Sequence, residues 1–106
     1  MGETADQFRI VAKFVKRLQE AFPVTAVFFF GSRSRGTYDQ WSDFDLIIVS
    51  PIFAGLDFFQ RWQLVRASWK EKTGADFFCY SPEEYEELKE EISVPGEAVR
   101  SGVRVA

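Results

Sequence analysis

Gly31-Ser32-Arg33-Ser34-Arg35-Gly36 and, after six intervening residues, Asp43-Phe44-Asp45-Leu46-Ile47-Ile48-Val49 are the two runs that decide how this chain folds. The glycine-bearing run follows Val24 to Phe30, which is β-branched and aromatic with no polar residue after Thr25, the pattern of a strand covered on both faces. The second run opens on two aspartates and continues as Phe44 to Val49, a second buried strand stopped by Ser50-Pro51. A polar loop, Gly31 to Gln40, therefore joins two core strands. Side chains alternate along a strand, so Asp43 and Asp45 project to one side while Phe44 turns into the core.

Upstream, apolar residues fall at Phe8, Val11, Val15, Leu18 and Phe22, in steps of three and four. That spacing predicts an amphipathic helix, with Thr4 as N-cap and Pro23 as its stop. Downstream of Asp57 the periodic positions are Phe58, Phe59, Trp62, Val65 and Trp69, with Lys70 and Lys72 in the last turn and Gly74 beyond it, a second long helix. Ala75 to Tyr80 reads as a third strand. Ser81-Pro82-Glu83-Glu84 then supplies N-cap, N1 proline and capping-box glutamate to a third helix that turns Tyr85, Leu88 and Ile92 inward. Pro95-Gly96 breaks the chain; a single helical turn at Glu97 to Ser101 and a short strand at Val103 to Ala106 complete it. With no repeat or linker composition, the order helix, strand, loop, strand, helix, strand, helix predicts one α/β layer structure.

A chain of 106 residues fits one domain, 1–106, and 46% hydrophobic content with twelve phenylalanines supplies a packed core. The formal charge of -3 argues against a nucleic-acid partner, because broad binding to a phosphate backbone needs clustered cations. One cysteine, Cys79, forms no internal disulfide, and there is no secretory signal or membrane-spanning run, so a cytoplasmic location is expected. The chain contains no histidine, which excludes Ser-His-Asp and Cys-His nucleophile activation and removes the usual nitrogen ligands of zinc. Carboxylates must do any proton or metal work, and the metals that suit them are hard ones such as magnesium or manganese.

The two opening runs carry that chemistry. Glycine after a buried strand lets the backbone approach a ligand and point N–H groups at phosphate oxygens, although such a loop is most often only a turn. An isolated Asp-x-Asp is ordinarily a solvated strand start. Here Asp45 precedes Leu46, Ile47, Ile48 and Val49 and lies at the rim of an apolar strand, where an unpaired carboxylate is costly and a cation would relieve the cost. Asp76, between Ala75 and Phe77-Phe78, poses the same problem. If the strands are neighbours, Asp43, Asp45 and Asp76 can share a two-ion site.

Gly31-Ser32, ten intervening residues, Asp43-x-Asp45 before an apolar strand, and Asp76 on a later strand resemble the nucleotidyltransferase superfamily related to DNA polymerase beta. More narrowly, they resemble the minimal nucleotidyltransferases found as antitoxins beside HEPN-domain toxins; the resemblance runs from the first helix to about Ile92. It implies the small nucleotidyltransferase fold, a short mixed sheet packed with about three to four helices. It also implies that Asp43 and Asp45 bind both of two magnesium ions, that Asp76 binds the catalytic ion near the attacking hydroxyl, and that Gly31 and Ser32 hold the triphosphate of ATP or another NTP. By the same resemblance the partner is a HEPN-type toxin and the reaction is transfer of AMP to its hydroxyl side chain. Ser34 stands where the commoner pattern has alanine, a small change in volume. Arg35 is the candidate third triphosphate ligand and Arg33 a weaker one, since exposed loop arginines are usually solvated. Asp39 and Asp57 read as ordinary loop and helix-start acids.

Glu83, Glu84, Glu86, Glu87, Glu90 and Glu91 form an acidic face that is ordinarily solvated but can dock a basic partner. Exposed aromatics among Trp41, Phe53 and Phe58 can form a homo-oligomer surface, with core packing the expected use of Phe58. Two other functions stay open. An inhibitory binding module would neutralise its partner by occupancy alone. A metal-dependent phosphohydrolase would use an aspartate nucleophile, but such enzymes usually place the aspartates just after a strand, and here the strand follows them.

Overall fold

The computed structural model describes residues 2–106. The elements are α1 (Gly2–Ala21), β1 (Ala26–Phe30), α2 (Ser32–Arg35), β2 (Phe44–Val49), a 3-10 turn (Pro51–Phe53), α3 (Phe58–Arg66), β3 (Ala75–Tyr80), α4 (Pro82–Leu88), α5 (Val94–Ser101) and β4 (Val103–Arg104). The four strands make one mixed sheet in the order β3-β2-β1-β4. β1 runs antiparallel to β2 and to β4, whereas β2 and β3 are parallel. The α/β class and the short mixed sheet expected from the sequence are the observed ones, with five helices around it.

Alternation along the central strands divides the core. Val27, Phe29, Phe44, Leu46, Ile48, Phe77 and Cys79 face α1 and Trp69, while Ala26, Phe28, Ile47 and Val49 face α5. The first face is the larger, and Phe14 anchors it. Its ring stacks on Phe77 at 5.5 Å and meets Trp69 edge-on at 5.3 Å. Phe14 lies between the helical positions that the sequence picked out and is fully buried; the apolar stripe of α1 is one residue wider than the periodic reading allowed.

Several local expectations are corrected. α1 begins at Gly2, so Thr4 is inside the helix, where its Oγ1 stands 2.8 Å from the position a Cβ on Gly36 would take. α3 stops at Arg66 rather than running to Lys72. Ser68 and Trp69 donate to the carbonyls of Val65 and Arg66 in a tightened last turn. The chain then leaves the helix, burying Trp69 against Phe44 and Phe77 while its Nε1 donates to Thr73 O at 2.8 Å. Phe58 is therefore not a core residue: it is 71% exposed, and Phe59 and Trp62 stack on each other at the surface. Phe53 is fully buried, leaving Trp41 and Phe58 as the exposed pair of the three aromatics.

Ser81 caps α4 with the expected capping box, accepting from Glu84 N–H while Glu84 accepts from Ser81 N–H. α4 ends at Leu88, and Ile92 is wholly exposed instead of inward-facing. The reason is the start of α5, two turns rather than one: Ser93 caps it and Pro95 sits in its first turn, so the chain is already committed to a new helix at Ile92. Glu84 does not lie free on an acidic face. Arg61 of α3 grips it, with Nη1–Oε1 at 2.6 Å, and holds its pKa down through that hydrogen bond.

This division of aromatics gives a direct test by urea unfolding. Phe14→Ala should cost about 3–5 kcal/mol, whereas Phe58→Ala should stay within roughly 0.5 kcal/mol of the parent. A large loss at Phe58 would mean that α3 packs the other way round.

Candidate active site

Strand register brings the acids together. Asp45 of β2 pairs with Asp76 of β3 on one side and with Phe30 of β1 on the other. Asp43 precedes β2 by one residue, and two steps along an extended chain return its side chain to the side of Asp45. The three aspartates predicted from the sequence thus gather at one end of the sheet. Asp43 and Asp76 are exposed and Asp45 is half-buried.

Two glycines make room for these carboxylates. Gly31 follows β1 directly, with φ 79° and ψ −172°, and a Cβ there would run into the Asp45 carboxylate. Only glycine occupies that conformation at ease. Gly74 serves Asp43 in the same way: an added Cβ would stand 2.7 Å from Asp43 Oδ1, while the Gly74 carbonyl accepts from Phe44 N–H at 3.0 Å. Sequence reasoning treated Gly74 only as the end of a helix; its position two residues ahead of Asp76 was the available signal.

The loop is more ordered than its composition implied. Ser32–Arg35 form one helical turn, closed by Gly36 in the left-handed region, and Ser34 Oγ donates to Gly31 O at 2.7 Å. Arg33 is buried within it. Its Nε donates to Ser42 O and its Nη1 to Gln7 Oε1, both at 2.7 Å, and its guanidinium lies 4.9 Å from the Phe44 ring centroid. Arg33 therefore ties α1 and α2 to the residue preceding Asp43 and is spent internally. The sequence offered no sign of its partner Gln7. Arg35 is exposed beside Asp45, and its charge acts on that carboxyl.

The electrostatics follow. Burial first, then the charges of Asp76 and Asp43, push the Asp45 carboxyl up to about 6, with Arg35 acting in the opposite direction. Carboxylate oxygens with an excess of negative charge suit a hard divalent cation such as magnesium, in donor type and in charge. Among the described residues no three acidic, Cys or His side chains are closed tightly enough to form a ready-made metal cluster. Cys79 takes no part, because its thiol is buried and pushed up to about 12.

Residues 11–105 match the sequence model of the family described as the nucleotidyltransferase domain. No curated protein matches the chain. Two solved structures share its fold. One is a candidate nucleotidyltransferase from Sulfolobus solfataricus, 23% identical, with a TM-score of 0.66 over 81% of this chain and 77% of that one. The other is a toxin-antitoxin assembly with AMP-PNP, 24% identical, with a TM-score of 0.62 over 89% of this chain and 70% of that one.

Two substitutions read out this geometry. Gly31→Ala should cost about 1–3 kcal/mol in urea unfolding, since the left-handed turn and the Asp45 contact both resist a side chain. The Asp45 carboxyl is pushed up to about 6 from its ordinary 3.8, so between those two pH values the folded state holds a proton that the unfolded chain has released. In chelator-treated protein that penalty is complete above the folded value and fades as pH falls through about 6 toward 3.8. The thermal midpoint of the parent should accordingly rise between pH 7.5 and 5.5 relative to Asp45→Asn, and the variant should be the more stable at pH 7.5. A parallel pH course for the two proteins would show that Asp45 is not crowded by its neighbours.

Proposed function

The chain belongs to the nucleotidyltransferase domain family, and we propose that it transfers a nucleoside monophosphate, AMP in particular, from an NTP to a hydroxyl of a partner protein. The partner is of the HEPN type and the pair a toxin-antitoxin couple of the cytoplasm, with this chain as antitoxin. The observation that carries the transfer reading is the register that sets half-buried Asp45 between Asp76 and the Gly31 loop. An apolar strand retains a carboxylate at such a position at a cost in stability, and chemistry on phosphate explains the cost. The partner reading draws support from the toxin-antitoxin neighbour of the same fold.

The residues divide the work as follows. Backbone at Gly31 and Ser32 and the guanidinium of Arg35 hold the triphosphate oxygens. Asp43, Asp45 and Asp76 hold magnesium, two ions in the full site, which when bound supplies positive charge against the phosphate oxygens that gain charge in the displacement. The acceptor hydroxyl oxygen bonds to the α-phosphorus, the bond to the α–β bridging oxygen breaks, and pyrophosphate leaves with that electron pair. Asp76, on the side of Asp45 away from β1, takes the hydroxyl proton on its carboxylate. Arg33 keeps Ser42 and therefore Asp43 in place.

The test is incubation with magnesium, α-labelled NTPs and the co-purifying partner, in parallel with the Asp43→Asn, Asp45→Asn double variant. Label should pass to the partner and fall by about a hundredfold or more in the variant, the scale of several kcal/mol lost with the cation. If no label passes while both proteins bind the partner equally, the chain acts by occupancy and the transfer reading is wrong.

A further inference from the structure

The three acids are not held in the same way. Asp45 and Asp76 lie within paired strands, so backbone hydrogen bonds fix where their side chains start. Asp43 lies one residue outside β2, at the end of the loop that follows α2. On its C-terminal side that position is pinned by Phe44, whose N–H donates to Gly74 O at 3.0 Å. On its N-terminal side it depends on a side chain. Arg33 Nε donates to the carbonyl of Ser42 at 2.7 Å, and Arg33 Nη2 reaches the carbonyl of Asp39 at 3.4 Å.

Arg33 is itself buried and pairs with no carboxylate among the described residues. The rings of Tyr38 and Phe44 lie 4.6 and 4.9 Å from its guanidinium carbon, a favourable setting for the charge that fixes no hydrogen-bond direction. The direction comes from Gln7, whose Oε1 accepts from Arg33 Nη1 at 2.7 Å. Gln7 is 8% exposed, a rare burial for a glutamine, and it sits on α1, which brings no acid to the site. Its neighbour Phe8 meets Phe29 of β1 edge-on at 5.0 Å, and Thr4, one turn earlier, lies against Gly36. The first turns of α1 are thus seated on both the sheet and the loop.

We propose that Gln7 is a positioning residue for the divalent cation: through Arg33 and Ser42 it sets the carboxylate of Asp43, so cation affinity is governed in part from α1. Without the Gln7 acceptor, Arg33 Nη1 would be a buried donor left unpaired. The guanidinium then turns to find another acceptor, and the fork that aligns Ser42 is lost. Asp45 and Asp76 keep their places by register. The proposal rests on the nucleotidyl-transfer reading above, because it needs a cation at the acids.

Calorimetric titration of the chelator-treated full chain with manganese alone, with no nucleotide or partner present, tests it. Gln7→Leu keeps the bulk of the side chain and removes the acceptor. It should bind manganese about tenfold more weakly than the parent, the usual scale for losing a group that orients a metal ligand. Gln7→Glu keeps an oxygen for Nη1 and should bind within about threefold of the parent. In an Asp43→Asn background Gln7→Leu should cause no further loss, because the carboxylate that it places is absent. Arg33→Lys, which keeps the charge and loses the fork, carries the same tenfold expectation should Gln7→Leu fail to fold. Parent-like binding by Gln7→Leu, or an equal loss in both backgrounds, would overturn the positioning role and leave the transfer reading standing. A parent that binds no manganese would overturn both.

Discussion

An acidic side chain carried on a strand whose other residues are all apolar is the constraint on which the rest depends. Asp45 cannot turn into the core, because its negative charge would be stranded there, and it cannot leave the strand, because Leu46 to Val49 are fully buried. It is therefore held at the rim, between Asp76 and the close approach of Gly31. The left-handed turn at Gly31, the bare α-carbon at Gly74 and the inward tether of Arg33 are all consequences of making space around this one end of the sheet.

The two faces of the sheet divide structure from chemistry. One is sealed by α1 and Trp69, with Phe14 stacked on Phe77, Phe29 stacked on Phe44, and Trp69 meeting both Phe14 and Phe44. The other carries Ala26, Phe28, Ile47 and Val49 under α5, and on that same face the strand ends present Phe30 and Asp45. Period-two alternation lets a single strand serve both purposes: in β2, Phe44, Leu46 and Ile48 face the sealed side while Asp45, Ile47 and Val49 face the other. A slip of one residue would exchange the aspartate for a phenylalanine, so the core itself enforces the placement of the acid.

Much of this was legible in the residue order. β2 and β3 run over the residues read as strands, because continuous apolar runs bounded by Ser-Pro and Gly leave little freedom in where a buried strand starts and stops. The capping box at Ser81 was equally clear, since its partners lie three residues apart and need no tertiary contact. What failed were features decided by distant parts of the chain. The end of α3 depends on where Trp69 finds Phe14, Phe44 and Thr73. The exposure of Ile92 depends on α5 starting early, and the fate of Arg33 on a glutamine 26 residues away. Of the site, the acids and the glycine-serine loop could be picked out by type and spacing. Gly74 and Gln7 could not, for their part lies in what they adjoin in space.

The order of the strands along the chain has a consequence for the protein during its synthesis. The acids and the glycine turn lie between residues 31 and 76, and their strands β1, β2 and β3 are adjacent to one another in the sheet. The second long edge of β1 is covered by Val103 and Arg104, which follow all three of those strands in the chain. As a nascent chain emerges from the ribosome, its N-terminal portion can organise first. The charged end of the sheet is therefore built before its flank, and a β1 with an unfilled edge is briefly available to any other extended segment. Completion of the apolar wall beside the acids is coupled to the closing of that edge, so a chain arrested before residue 103 would carry the acidic cluster without its neighbouring wall.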